Sequence, residues 1–154
     1  NLDTIIFACK NFGGVEHRIE FVREFNGIKF YNDSKGTNVD STIKAVEALE
    51  KPIILILGGY DKNVDFNPLF ESFNGKVKAL VLVGDTKQKF YETAKKNGFD
   101  NNILVNDYKE VVEKCIELAK SGDNVLLSPA SASWDMFKSY EERGNLFKKL
   151  VNGL

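Results

Sequence analysis

Apolar residues recur at helical spacing at the start of the chain, and this pattern stops at two consecutive glycines. The recurring positions are Leu2, Ile5, Ile6, Cys9 and Phe12. A spacing of three to four residues puts them on one face of an amphipathic helix, which Gly13-Gly14 is predicted to terminate. Because the chain opens on this helix, and on Asn1 instead of a methionine, we expect residues 1–14 to be the tail of a preceding domain.

A β-hairpin is predicted around Asn26-Gly27. Both residues tolerate the positive φ angles of a type I′ turn, and strand-like runs flank them at 19–25 and 28–32. We expect this antiparallel ribbon to lead into the main domain.

Helical and extended patterns then alternate to the end of the chain. Helices are predicted at about 40–50, 87–96 and 108–120, with a short helical turn at 68–73, and strands at 53–57, 79–83, 103–105 and 124–128. Strands separated by helices imply right-handed crossovers. The predicted fold class is therefore α/β: a Rossmann-like, mostly parallel sheet with helices on both faces, preceded by the hairpin. The last stretch, 135–154, is predicted to be helical and broken near Gly144.

Composition fits one folded domain and excludes several classes of partner. The 154 residues are 43% hydrophobic, which is enough apolar surface to offset chain entropy. Lys and Arg total 21 against 22 Asp and Glu, so no global basic field favours nucleic acid or an anionic membrane. The longest aliphatic run, 53–57, is far shorter than the roughly 20 residues of a membrane span.

The cysteine and histidine content gives no metal or disulfide signature. Cys9 and Cys115 lie far apart in helical contexts, and neither is near His17, the single histidine. We therefore expect no disulfide and no zinc site, and a reducing cytosolic setting. A lone histidine is usually structural, so we expect the same of His17.

Three polar clusters follow predicted strands, at the sheet edge where open α/β sheets bind ligands. They are 32–38 (Asn-Asp-Ser-Lys-Gly-Thr-Asn), 58–62 (Gly-Gly-Tyr-Asp-Lys) and 128–134 (Ser-Pro-Ala-Ser-Ala-Ser-Trp). Lys35 and Lys62 supply ammonium groups, and Ser131 or Ser133 would cap a helix that starts there. This combination suits a ligand that bears carboxylates. The alternative is that the lysines are solvated and the serines only cap.

Other residues near these clusters have two interpretations each. Arg18, at the junction before the hairpin, would clamp phosphate from a neighbouring domain or form a salt bridge. Asp33 would accept from ribose hydroxyls or form an Asx turn. The spacing of Trp134, Met136, Phe137 and Tyr140 is typical of a buried helix face, with Tyr140 near the anion site and able to line a ligand.

Two nucleotide-binding signatures are absent from the sequence. There is no G-x-x-x-x-G-K-[ST] run, because Lys-Gly-Thr at 35–37 has the right residues in the wrong order. There is also no G-x-G-x-x-G run, so a dinucleotide site is not indicated. We expect no phosphate cradle within this chain.

The three clusters resemble the C-terminal domain of the Mur ligases. The most specific segment is 127–144, from Leu-Ser-Pro-Ala-Ser-Ala-Ser-Trp-Asp-Met-Phe-Lys through Tyr-Glu-Glu-Arg-Gly. The segments 32–38 and 58–62 are looser but occur in the right order. The similarity runs from residue 17 to the end and is greatest to the D-glutamate-adding branch. Residues 1–12 resemble the last helix of the family's central domain.

The resemblance implies a cytoplasmic, ATP-dependent ligase of peptidoglycan synthesis. In that family ATP activates the terminal carboxylate of UDP-N-acetylmuramoyl-L-alanine as an acyl phosphate, which the amine of D-glutamate attacks. The P-loop and the Mg²⁺ ligands belong to the central domain, and the UDP-sugar binds the N-terminal domain. The resemblance therefore implies that this chain, without those two domains, brings the amino acid and closes the site. The resemblance further implies that the chain alone is inactive. It would have no catalytic or metal-binding residues of its own, and it would bind no cofactor by itself.

The resemblance also assigns residues to ligands. Lys62, Ser133 and Tyr140 match the family's D-glutamate contacts, with Lys35 and Thr37 at or beside that pocket. Arg18 and Asp33 match residues that reach ATP when the domains close. Three positions depart from the frequent residue of the family: Tyr140 replaces phenylalanine, Ser131 cysteine, and Gly36 alanine.

Two alternatives remain open from the sequence. One is a non-catalytic ligand-binding module of flavodoxin-like or receiver-like shape, although neither an acidic phosphoacceptor cluster nor a flavin-phosphate loop is evident. The other is a relative of folylpolyglutamate synthase, which would share the architecture but not the 128–144 segment.

Overall fold

A six-stranded sheet organises the chain, of which this computed structural model describes residues 2–11 and 14–154. The strands are β1 (Glu20–Phe25), β2 (Ile28–Asn32), β3 (Ile53–Leu57), β4 (Val77–Leu82), β5 (Asn102–Leu104) and β6 (Asn124–Leu127). Their order is β1-β2-β6-β3-β4-β5, with β1 antiparallel to β2 and the other pairs parallel. The predicted α/β class and mostly parallel sheet are confirmed.

Within the described residues, six helices cover the sheet or precede it. They are α1 (Leu2–Asn11), α2 (Val39–Ala48), α3 (Asn67–Glu71), α4 (Lys87–Lys96), α5 (Tyr108–Leu118) and α6 (Tyr140–Asn152). The predicted first helix is confirmed as α1, but Gly13, the first residue of its predicted terminator Gly13-Gly14, lies outside the described residues. No helix in the described part of the chain is long and apolar enough to span a bilayer.

The hairpin forms as predicted because its two turn residues adopt left-handed backbone angles. The φ angle is 52° at Asn26 and 76° at Gly27, as a type I′ turn requires. The strands are β1 and β2, and β2 also pairs with β6, which joins the ribbon to the parallel sheet.

Burial on both faces explains the continuous aliphatic runs of the central strands. Leu55 faces one layer, where α2, α3 and α4 contribute residues such as Phe66 and Phe90, whose rings stack with centroids 3.8 Å apart. Its neighbour Ile54 faces the opposite layer, with residues such as Phe147 from α5 and α6. Successive strand residues point to opposite faces, so only a sheet covered on both sides buries all of β3.

The predicted break near Gly144 is wrong, because α6 continues through this residue. A Cβ at Gly144 would lie 2.8 Å from Cε1 of His17 and closer still to its Nδ1. The glycine therefore permits a close approach of the His17 ring and does not mark a helix end. The predicted start was also too early: residues 135–139 form turns, and Ser139 caps the helix by accepting from the Glu142 amide at 3.2 Å.

Candidate functional site

The three polar clusters meet at one edge of the sheet because they follow three adjacent strands. β2, β6 and β3 are neighbours, and they lead into loops 32–38, 128–134 and 58–62 respectively. Backbone hydrogen bonds join the loops: the amide of Ala130 donates to Gly36 at 2.9 Å, and the amide of Tyr60 to Ala132 at 2.8 Å. We call this edge, formed by the three loops, the rim.

A cavity of about 220 Å³ opens at the rim, and it is lined by four of the five residues predicted to contact D-glutamate. They are Thr37, Lys62, Ser133 and Tyr140. The fifth, Lys35, is exposed beside the cavity, with its Nζ 5.9 Å from the centroid of the Tyr140 ring. The structure thus brings together side chains from all three loops and from the start of α6.

The two rim lysines face aromatic rings. Nζ of Lys62 lies 5.1 Å from the centroid of the Trp134 ring, and Nζ of Lys35 lies 5.9 Å from the centroid of the Tyr140 ring. Within residues 2–11 and 14–154, neither ammonium forms a hydrogen bond or an ion pair with a carboxylate. Ring faces attract cations without neutralising them. Both charges therefore remain available to an anionic ligand.

Arg18 and Asp33, the two residues predicted to reach ATP, line a second cavity of about 210 Å³. Lys35 and Lys44 also border it, so cations surround one buried carboxylate. Arg18 is exposed.

Asp33 is held by internal donors on both of its oxygens. Oδ1 accepts from the Ile19 amide at 3.1 Å and Oδ2 from Ser128 Oγ at 2.7 Å. Burial raises the pKa of the Asp33 carboxyl above its ordinary value, against the opposing effects of these hydrogen bonds and of the Arg18 charge. The Asx-type contact is made by Asn32, whose Oδ1 accepts from the Ser34 amide at 3.1 Å. The alternative of an Asx turn at Asp33 itself is wrong.

A third, more apolar cavity of about 310 Å³ adjoins the first. Thr37 and Lys62 line both. The remaining walls include Tyr60, Val64 and Phe66. Sequence reasoning identified no pocket here, because these apolar residues belong to a segment without periodic structure.

The predicted helix caps at Ser131 and Ser133 are wrong, since α6 begins several residues later. Ser131 Oγ lies 3.4 Å from Thr86 Oγ1, and the Ser133 carbonyl accepts from the Phe137 amide at 2.8 Å in a turn. The N-cap of α6, Ser139, nevertheless lines the 220 Å³ cavity together with Tyr140.

The predicted buried face at 134–140 is also mostly wrong. Trp134 is 62% exposed and Met136 39% exposed, because this segment lacks the helical repeat that would turn both inward. Phe137 is partly buried, and its ring contacts that of Tyr108 with centroids 5.2 Å apart.

Sequence reasoning missed Arg143, which is 1% exposed and lies behind the rim. Its Nε and Nη2 donate to Ser34 Oγ and Ser34 O at 2.9 and 2.8 Å, and Nη1 donates to Ser131 O at 3.0 Å. The guanidinium thus connects two of the rim loops to α6. All three acceptors are neutral, and burial lowers the pKa of Arg143. Its place in a helix rich in charged residues gave no signal of burial.

His17 is packed into the structure behind Tyr140. Its Nδ1 lies 2.9 Å from Nδ2 of Asn32, and its ring meets the Tyr140 ring edge-on with centroids 5.9 Å apart. His17 therefore supports the aromatic wall of the site. A second missed residue, Lys138, also lines the 220 Å³ cavity.

A known protein family matches most of this chain. The family model described as "Mur ligase, glutamate ligase domain" matches residues 17–131. The chain belongs to the Mur ligase family. This membership confirms the resemblance and decides against the alternative of a flavodoxin-like or receiver-like module.

The similar Mur ligases are about three times longer than this chain. The UDP-N-acetylmuramoylalanine–D-glutamate ligase of Thermoanaerobacter sp. (strain X514) is 56% identical over 151 residues, which are 97% of this chain and 33% of the relative. The chain thus spans about a third of the length of the curated relatives that it matches.

Solved structures share the fold at low sequence identity. The UDP-N-acetylmuramate-alanine ligase of Thermotoga maritima has a TM-score of 0.67 and 15% identity, covering 99% of this chain and 34% of that one. Folylpolyglutamate synthase of the same organism has a TM-score of 0.61 and 18% identity, covering 100% and 34%. These likenesses concern the fold alone.

Proposed function

We propose that this chain is the C-terminal, amino-acid-binding domain of an ATP-dependent ligase that adds D-glutamate to UDP-N-acetylmuramoyl-L-alanine in cytoplasmic peptidoglycan synthesis. The name of the relative that is 56% identical supports this substrate, and the family model supports the domain type. The observation that carries the proposal is the rim cavity, in which Lys62, Ser133 and Tyr140 converge from separate parts of the chain.

In this proposal the rim holds the carboxylates of D-glutamate. Lys62 and Lys35 supply the charge, Thr37 and Ser133 supply hydroxyl donors, and Tyr140 forms a wall. Charge-assisted hydrogen bonds are stronger than neutral ones. The amine of D-glutamate would then be held at the open side of the rim, where positioning and exclusion of water favour its attack.

ATP would approach the second cavity from the neighbouring domain. The exposed Arg18 guanidinium suits a phosphate, and Asp33 retains unused lone pairs for a ribose hydroxyl. When bound, ATP supplies the phosphoryl group that activates the acyl carboxylate. The described residues include no group of three His, Cys, Asp or Glu that could hold a metal ion, and we assign the Mg²⁺ of the full-length enzyme to another part of the polypeptide.

We further propose that residues 1–14 end the central ATPase domain and that 15–154 form the C-terminal domain. The apolar side chains Leu2, Ile5 and Ile6 of α1 are exposed, which is consistent with a helix whose packing partner is the central domain. The partners of this chain are then the N-terminal and central domains of the same polypeptide.

The test is replacement of Lys62 by Ala in the full-length ligase, with phosphate release measured against D-glutamate concentration. A charge-assisted contact contributes about 1.5–3 kcal/mol, so kcat/KM for D-glutamate should fall by roughly 10- to 150-fold. Lys96→Ala, which removes another exposed lysine on α4, is the matched control and should change nothing. An unaltered kcat/KM in the Lys62 variant would remove this residue from the site.

A further inference from the structure

Lys62 stands on a loop that gives it little support. It follows β3 in a segment without helix or strand, and its side chain is exposed. A long, mobile lysine loses rotamer entropy when it is fixed on a ligand. A contact that fixes the ammonium beforehand would reduce that loss.

Trp134 makes such a contact, although core packing does not require it. Its side chain is 62% exposed, so burial of apolar area does not explain its position. The indole lies against the ring of Tyr60, with centroids 5.6 Å apart, and Nζ of Lys62 lies 5.1 Å from the indole centroid.

The backbone places these three side chains together. Tyr60 and Ala132 form an isolated antiparallel bridge, in which the Tyr60 amide donates to the Ala132 carbonyl at 2.8 Å. Lys62 and Trp134 each follow that bridge by two residues. Both residues also line the 220 Å³ cavity, so the contact lies beside the proposed substrate pocket.

We propose that Trp134 is a positioning residue for Lys62, with Tyr60 supporting the indole. The ring face holds the ammonium by a cation–π contact at the wall that Ser133 also lines, so that Lys62 meets the substrate carboxylate already ordered. The role in substrate binding rests on the proposed function, whereas the contact between Trp134 and Lys62 does not.

The contact itself is tested by NMR on the 154-residue chain without ligand. Ring current from the indole should shift the ε-methylene protons of Lys62 upfield. The shift should vanish in Trp134→Leu and persist in reduced form in Trp134→Phe. Resonances of Lys62 that do not respond to Trp134→Leu overturn the proposal, whatever the enzyme's substrate is.

The effect of this contact on the use of D-glutamate is tested by steady-state kinetics of the full-length ligase. Trp134→Leu should raise KM for D-glutamate roughly two- to fivefold, with a smaller change in kcat, and Trp134→Phe should restore part of the loss. In a Lys62→Met background the Trp134→Leu change should have no further effect on kcat/KM. The matched control is Tyr91→Leu, which removes a ring 5.7 Å from Nζ of Lys95 on α4 and should leave KM unchanged.

The outcomes separate the two proposals. Equal effects of Trp134→Leu with and without Lys62, or a loss confined to kcat, overturn the positioning role. Absence of D-glutamate-dependent phosphate release in the unmodified full-length enzyme overturns the proposed function instead, and the NMR result then decides the positioning contact by itself.

Discussion

Burial changes the properties of individual rim residues in a way that the sequence does not indicate. Asp33 is buried, yet its carboxylate has no ion pair among the described residues and relies on Ile19 and Ser128 for hydrogen bonds. These donors offset only part of the desolvation cost, which is why the pKa of Asp33 is raised. Ionised Asp33 is thus a local source of instability that a functional role would explain.

Replacement of Asp33 by Asn should therefore change the pH dependence of stability. The raised pKa means that the folded chain binds this proton more tightly than the unfolded chain does, so the Asp33 contribution to stability falls as pH rises above about 3.8, the ordinary Asp pKa. The free energy of unfolding of Asp33→Asn minus that of the unmodified chain should therefore increase as pH rises above about 3.8. Urea unfolding at several pH values measures it. A difference that does not vary with pH, or that decreases as pH rises, contradicts this assignment.

At the scale of helices and strands, most of the architecture follows from periodicity, and the errors cluster at the site. β3 and α4 have the predicted bounds, because aliphatic runs and amphipathic spacing are local signals. Most errors fall on 131–144, where tertiary contacts override local preference: Gly144 lies inside α6, at a position where a Cβ would collide with the His17 ring. Which loops meet was predictable from the sheet-edge rule, whereas the burial of Arg143 was not, since its partners are distant in sequence.

The contact between Gly144 and His17 predicts that Gly144→Ala lowers the stability of the fold, which is the opposite of its usual effect inside a helix. In an ordinary helix interior, alanine is favoured over glycine by about 1 kcal/mol. Here the new Cβ would lie 2.8 Å from Cε1 of a buried ring, so the substitution should lower the free energy of unfolding. In a His17→Ala background the same substitution should cost less stability, because only Nδ2 of Asn32, at 3.1 Å, then crowds the new Cβ. Thermal unfolding of the four chains measures both effects, and a stabilising Gly144→Ala in the unmodified chain would contradict the close packing.

At the scale of the molecule, this chain combines a polar rim with a sequence that has no G-x-x-x-x-G-K-[ST] run. Its sheet has hydrophobic layers on both faces, and these layers form the core. The rim, by contrast, is open on the side where Arg18 and Lys35 are exposed. In the proposed function, the central domain activates the acyl carboxylate and this chain binds the amino acid.

The 154-residue chain should accordingly unfold cooperatively but release no phosphate from ATP, with or without D-glutamate. The reason is that none of its loops has the P-loop sequence that holds transferring phosphates. Phosphate release by the purified chain is the measurement, and a chain carrying Lys62→Ala is the control for contaminating ligase. Release that is D-glutamate-dependent and abolished by Lys62→Ala would contradict the proposed division between domains.

The guanidinium of Arg143 has a consequence for protein engineering. Because it bonds to Ser34 and Ser131 at once, loops that are almost a hundred residues apart in sequence share one anchor that belongs to neither of them. A designer who transplants the rim loops to another scaffold without α6 would leave their inward-facing carbonyls without donors. We therefore expect the grafted loops to keep their conformation only when α6 is transferred together with them.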